Sequence, residues 1–401
     1  MTTITGARGA GMFSNQSSRQ AGPITLFLPS LNGGGAERVF VNLANEFSRL
    51  TERPIHLVLA RGGSAYSDQV SSSVTVVDLG KRRAIHALPA LIGYIRRERP
   101  GVILSTMVDA NVVALLARAL AGGCCRVLIR EANVFSMQGA GFRERVRTRL
   151  MSLLYPRADA MVVIATDILD SLHAAGIPTC DSKLFIGNPV RLTDHRGRES
   201  DLPEVLRERE YLCAMGRLVP QKGFDVLIEA FARLNDRSLH LAILGDGPLK
   251  EALIANAQKA NVADRLHFLG FTRHPENILH HARLFVSSSR WEGFPNAIME
   301  ALSAGTPIVA TTCPGASSLI LENGRHGYLV PPDDPARLAD AIDASLVAPV
   351  GTRATRMARC TDFSPEHIAS RYLEAIEAIE ALASPGMNEP DPGQSESGAR
   401  R

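Results

Sequence analysis

Short β-branched runs alternate with longer amphipathic runs along nearly the whole chain, and this alternation restricts the fold more than any other feature of the sequence. Strands that recur after each helix-length segment rejoin a sheet in parallel through crossovers, so the pattern implies βα units and α/β architecture. In the first half, strands are expected at Ile24–Leu28, Ile55–Leu59, Val74–Asp78, Val102–Ser105, Arg126–Arg130 and Met161–Ile164. Helices are expected between them at Ala36–Arg49, Leu88–Glu98, Ala110–Leu120 and Phe142–Leu154. In the second half the strands fall at Tyr211–Met215, Leu239–Leu244, Leu266–Leu269, Leu284–Ser287, Ile308–Ala310 and Gly327–Val330. Phe224, Leu227, Ile228 and Phe231 recur at the helical period and mark one apolar face.

The alternation lapses once, over Asn188-Pro189-Val190 and the polar stretch that follows to Glu208. A single core stops growing near ~250 residues, so 401 residues with one such lapse divide into two domains. The expected boundaries are a disordered tail at 1–22, a first domain at 23–188, a linker at 189–208, a second domain at 209–383 and a second disordered tail at 384–401. The last helix of the second domain is free to pack back on the first. Ligands of open α/β sheets bind beyond the carboxyl ends of the strands, so two such domains facing each other enclose a cleft.

Charge argues against a nucleic-acid partner, since 44 Lys and Arg against 41 Asp and Glu leave a net charge of only +3. Two basic clusters, Lys81-Arg82-Arg83 and RERVRTR at Arg143–Arg149, make an anionic membrane surface a candidate partner, against the ordinary reading of a solvated helix face. Six cysteines without CxxC spacing fit a reducing cytoplasm. The first 22 residues lack the apolar core of a signal peptide, and no later segment offers ~20 uncharged apolar residues. A cytoplasmic protein, at most peripheral on the inner face of the cell membrane, is expected. His274, His280 and His281 lack ligand spacing, so neither a metal nor another cofactor is expected.

The stretch SRWEGFPNAIMEALSAGTPIVATTCPG, Ser289 to Gly315, carries the most chemistry. Glu292 and Glu300 form an E-x7-E pair around Phe294, Pro295 and Asn296. With Asn296 capping a helix, Glu300 lies in its first turns and Glu292 on the preceding loop, so both carboxylates border one pocket. A helix start with open amides favours a diphosphate, and carboxylates accept hydrogen bonds from vicinal hydroxyls. Acids also decorate helix starts with no further role. Upstream, MGRLVPQKGFDVLIEAF, Met215 to Phe231, presents Arg217 and Lys222 from a loop after a strand. Two fixed cations there can neutralise a departing diphosphate, although such a pair alone is usually just solvated.

GRLVPQKGFD, followed by GDGP at Gly245–Pro248, FLGF at Phe268–Phe271 and SRWEGFPNAIMEALSAGTPIVA, resembles retaining glycosyltransferase family 4 across nearly the whole ordered chain. LNGGGAERV at Leu31–Val39 is similar to the glycine-rich loop of a bacterial branch that makes surface polysaccharides and lipid-linked sugars. The resemblance implies the GT-B architecture, with two facing Rossmann-like domains of parallel sheet, the first on the acceptor side and the second holding the nucleotide sugar. It implies hexosyl or N-acetylhexosaminyl transfer from a UDP- or GDP-sugar to a glycan or lipid-linked acceptor, with retention of configuration and no metal. Carried over residue by residue, Arg217, Lys222 and Glu292 are catalytic, the cations on the diphosphate and Glu292 on the donor sugar. Phe294, Pro295 and Asn296 would hold that sugar through main chain, Glu300 the ribose, and Gly270 and Phe271 the nucleobase. Gly33, Gly34 and Gly35 would face the diphosphate from the other domain.

Two departures stand out. Many relatives place a His near the reaction centre in an E-H-N-like stretch where this chain reads Arg130-Glu131-Ala132-Asn133, leaving Arg130 and Glu131 as acceptor-side candidates. Gly315–Leu319, GASSL, also lacks the acidic residue expected after the CPG turn. A dehydrogenase is disfavoured because no G-x-G-x-x-G follows Leu28 or Met215. A nucleotide-sugar epimerase on the same architecture, or a non-catalytic scaffold that binds nucleotide sugar, remains as an alternative.

Overall fold

The computed structural model describes residues 22–32, 35–62, 66–132, 141–190, 198–272 and 275–382. Gly33, Gly34, His274, residues 191–197 of the linker and nearly all of both tails lie outside the described residues. Two sheets organise the remainder. The first has seven strands in the order β3-β2-β1-β4-β5-β6-β7: β1 (Ile24–Leu28), β2 (Ile55–Leu59), β3 (Val74–Asp78), β4 (Val102–Thr106), β5 (Arg126–Glu131), β6 (Ala160–Val163) and β7 (Lys183–Phe185). The second has six in the order β10-β9-β8-β11-β12-β13: β8 (Tyr211–Met215), β9 (His240–Leu244), β10 (Leu266–Gly270), β11 (Leu284–Ser287), β12 (Ile308–Thr311) and β13 (Tyr328–Val330).

Every ladder is parallel. Helices therefore cover both faces, and the central strands read as unbroken apolar runs because each residue is buried whichever way it points; β1 and β4 are buried throughout. Along the first half run α1 (Gly35–Leu50), α2 (Leu88–Glu98), α3 (Val108–Leu120), α4 (Phe142–Leu154) and α5 (Thr166–Ala174). The second half carries α6 (Phe224–Arg233), α7 (Lys250–Lys259), α8 (Glu276–His281), α9 (Asn296–Ala304), α10 (Ser317–Ile320), α11 (Pro335–Val347), α12 (Arg353–Thr361) and α13 (Pro365–Ala381). α6 buries Phe224, Leu227, Ile228 and Phe231, the face expected from their spacing. β7 was not expected: it is three residues long at a sheet edge, with no apolar run to announce it.

The chain crosses between the domains twice. Val190 at the first crossing donates its amide to the carbonyl of Phe363 at the second, at 2.8 Å. α13 then packs on the first domain, with Tyr372 edge-on to Phe47 at 6.5 Å and Arg53 paired to Glu380 at 2.8 Å. The carboxyl ends of the two sheets face each other. There the amide of Gly315, beyond β12, donates to Oδ2 of Asp167, in the first turn of α5 beyond β6, at 2.7 Å.

Candidate active site

Loops beyond β8, β11 and β12 meet at one end of the second sheet. Their approach is close enough to require glycine at two points. At Gly223 (φ +61°) a Cβ would lie 2.1 Å from the Ser288 carbonyl oxygen, and at Gly315 (φ +127°) 2.2 Å from that of Glu292. Main-chain bonds tie the same loops together, Arg290 N to Gln221 O at 2.7 Å and Glu292 N to Pro314 O at 2.8 Å. Behind them the Arg290 guanidinium spans Asp225, at the start of α6, and Asp333. The loops are thus fixed before any ligand arrives.

Within this convergence Lys222 Nζ donates to Glu292 Oε1 at 2.5 Å, and Ser289 Oγ donates to the same oxygen at 2.6 Å. Glu292 is 6% exposed. A charge so far from water is tolerated because it is paired and hydrogen-bonded. The lysine chain lies against Gly216, where a Cβ would meet its Cε at 2.9 Å. Arg217, on the same loop, stays exposed. The sequence separates Lys222 and Glu292 by 70 positions, and the fold brings them into contact.

The start of α9 corrects one expectation. Asn296 is the first helical residue, Pro295 occupies the N-cap position, and no side chain caps the helix. Proline offers no side-chain acceptor and no amide of its own, and the chain itself takes up two of the next amides: Asn296 N donates to Phe294 O at 3.0 Å and Ile298 N to Pro295 O at 3.0 Å. One turn further, burial raises the Glu300 carboxyl to about 7; Glu276 adds to the rise, and Arg38 on α1 of the opposite domain opposes it. A charge from the first domain therefore reaches an acid of the second. Phe294 turns to the crossing segment, its ring centroid 5.8 Å from that of Phe363.

At the sheet edge, Gly270 (φ +72°) ends β10 and its carbonyl accepts from the Gly245 amide at 2.7 Å. Phe271 follows, 79% exposed. Gly35, the described member of the glycine loop, begins α1 and is open to solvent.

Arg130 and Glu131 sit at the carboxyl end of β5, but inside the domain. Arg130 is fully buried, reaching Thr106 Oγ1 at 3.1 Å and Asn188 Oδ1. Glu131 Oε1 accepts from Asn111 Nδ2 at 2.8 Å and the Tyr155 hydroxyl at 2.5 Å, and burial raises its carboxyl. Both belong to a buried polar network at the carboxyl end of β5 and present no open surface to a ligand. Sequence reasoning missed Asp167 and Arg38. Asp167 follows a strand, the signal that found Arg217; Arg38 sits one turn beyond the glycine loop.

Residues 34–180 match a glycosyl transferase 4-like domain, and residues 209–347 match glycosyl transferases group 1. The lipopolysaccharide core biosynthesis glycosyltransferase LpsE of Rhizobium meliloti is 35% identical over 361 residues, covering 86% of this chain and 96% of that one. The chain belongs to glycosyltransferase family 4. This family 4 glycosyltransferase is also 27% identical over 323 residues, 77% of its length and 86% of the relative's, to the N-acetylgalactosamine-N,N'-diacetylbacillosaminyl-diphospho-undecaprenol 4-alpha-N-acetylgalactosaminyltransferase of Campylobacter jejuni. Among solved structures, HepE of Anabaena in complex with UDP matches it with a TM-score of 0.74 at 19% identity, over 89% of this chain and 100% of that one. The fold is GT-B.

Proposed function

We propose that this glycosyltransferase moves a hexosyl or N-acetylhexosaminyl group from a UDP- or GDP-sugar to a lipid-linked or glycan acceptor, with retention at the anomeric carbon. The observation that carries the reading is the Lys222–Glu292 contact, buried where three loops converge at the carboxyl edge of the second sheet. The UDP-bound state of HepE and the lipid-linked and lipopolysaccharide acceptors in the relatives' names support the ligand classes.

In this reading the diphosphate lies over the start of α9, where the positive end of the helix dipole and Lys222 with Arg217 take up the charge that grows as the glycosidic bond breaks. Glu292, released in part from Lys222, accepts from hydroxyls of the donated sugar. Glu300 accepts from the ribose hydroxyls, and the base rests on Gly270 and Phe271 at the sheet edge. By the resemblance of the glycine-rich loop, Gly33, Gly34 and Gly35 would face the same diphosphate from the other domain. The acceptor hydroxyl attacks the anomeric carbon on the face the diphosphate leaves, and a departing phosphate oxygen takes its proton. Bond making and breaking then balance without a side-chain base, and the protein contributes orientation and a fixed field. With a lipid-linked acceptor, the enzyme would work at the inner face of the cell membrane; no described helix is long and apolar enough to cross it.

The test is incubation with radiolabelled UDP- and GDP-sugars and extracted lipid acceptors, with the product anomer read by NMR. An α-linked product from an α-configured donor is expected. Inversion would overturn the mechanism, and nucleotide-sugar binding without any labelled product would favour a non-catalytic scaffold.

A further inference from the structure

Members of the two basic clusters of the sequence, Arg82 and Arg83 of one and Arg147 of the other, line one cavity. A pocket of about 760 Å³ opens at the carboxyl edge of the first sheet, beside Pro29 beyond β1 and Asp109 beyond β4. Arg82 and Arg83 reach it from the segment after β3, and Arg147 from α4. Its volume lies within the roughly 300–1,000 Å³ of small-molecule sites. Arg61 and Lys81 line an adjoining cavity that shares Arg82. Five cations thus follow one edge of the sheet.

Two carboxylates share the main pocket. Glu144 pairs with Arg147 one turn away, while Asp109, in the first turn of α3, is exposed. Apolar lining is open to solvent as well, Ile85 being 48% and Val146 42% exposed, beside the exposed Arg82 and Arg83. Cations and exposed aliphatic side chains that line the same pocket suit an anionic head carrying an apolar chain. The backbone entering α3 is strained as well: Met107 holds φ +72° and ψ 135° in a non-glycine residue, two positions before Asp109. Such conformations persist where the surrounding fold enforces them, and they cluster at ligand sites.

We propose that this pocket is the acceptor subsite for the phosphate or diphosphate head of an amphiphilic acceptor. Arg82, Arg83 and Arg147 grip the phosphate oxygens, Asp109 accepts from a hydroxyl of the adjoining sugar, and the apolar chain leaves over Ile85 and Val146. The inference rests on the transferase reading above and assigns its acceptor class: a phosphate-bearing lipid glycoside, not a neutral glycan.

Binding can be measured without turnover. Farnesyl diphosphate, inorganic diphosphate and a neutral alkyl maltoside are titrated by calorimetry against the full chain with UDP at saturation, so that the donor site is filled. Farnesyl diphosphate is expected to bind at least roughly tenfold more tightly than either of the others, and the double variant Arg82→Gln/Arg83→Gln to lose roughly tenfold or more of that affinity while UDP affinity holds. Ile85→Ser should weaken farnesyl diphosphate but not inorganic diphosphate. Equal binding of farnesyl and inorganic diphosphate would show a free-phosphate site and overturn the amphiphile assignment. Undiminished farnesyl diphosphate affinity in the double variant, with an unchanged melting temperature, would remove the site altogether. If UDP itself fails to bind, the transferase reading falls, and the effect of the arginine variants on farnesyl diphosphate still decides the pocket.

Discussion

Glu300 gives the sharpest test of the proposed donor site, because stability and binding are expected to move in opposite directions when it is changed. Burial, with Glu276 nearby, raises its carboxyl from 4.5 to about 7. The native state therefore binds this proton more tightly than the unfolded chain does. Between about pH 4.5 and 7 the native form holds the extra proton, so stability falls as pH rises through that window, and the loss is complete above 7. A shift of about 2.5 units at about 1.36 kcal/mol each corresponds to about 3 kcal/mol of penalty on the ionised form. Glu300→Gln removes the ionisation and keeps the shape. Urea melts without nucleotide should show the variant more stable than wild type by up to about 3 kcal/mol at pH 8, and nearly equal to it at pH 4.5. UDP binding should behave in the opposite sense. Hydroxyl donors favour the carboxylate, so wild-type affinity should rise with pH up to about 7, by as much as about tenfold per unit. Glu300→Gln should bind more weakly at pH 8, with a flat profile. A variant that is no more stable than wild type at pH 8, or whose advantage is the same at both pH values, would refute the reasoning.

Three further outcomes are expected. Lys222→Gln should lower kcat by about 100-fold or more, and it should also lower the melting temperature because Glu292 loses its charge partner; a variant with full turnover would take Lys222 out of the reaction. Gly223→Ala places a Cβ 2.1 Å from the Ser288 carbonyl oxygen at φ +61°, so denaturant melts should show a loss of at least about 1–3 kcal/mol, and an unchanged midpoint would mean that the loops have slack. Asp167→Ala removes the bond to Gly315 between the domains; small-angle scattering should show a more open average shape and kinetics a higher donor KM, and identical scattering would mean the bond does not hold the domains.

Much of the fold was legible because parallel strands buried on both faces announce themselves as apolar runs, and most strand limits fall within a residue or two of those expected. β7 was not, since Lys183-Leu184-Phe185 is an edge strand defined by its neighbour rather than by its own pattern. The site was legible as types of residue on loops after strands. The contacts that shape it were not: nothing local in the sequence pairs Lys222 with Glu292, or presses Gly315 against the Glu292 carbonyl. Asn296 looked like a cap because asparagine often is one, yet Pro295 before it sets the backbone and takes the cap position. Arg130 and Glu131 looked accessible because charge usually seeks water. Here Asn111 and Tyr155 bond Glu131, and Thr106 and Asn188 bond Arg130, inside the domain, with Arg130 Nε left without a partner among the described residues.

The return of α13 to the first domain has a consequence for biosynthesis. Ile368, Ala369, Tyr372, Ile376 and Ile379 are buried, in the same core as Phe47 and its neighbours on α1. The half of the protein that leaves the ribosome first must therefore wait, with an apolar surface uncovered, until α13 has been synthesised and has left the ribosome. Until then the first half stays incomplete while the second is still being made, and that interval is when a chaperone has most to cover.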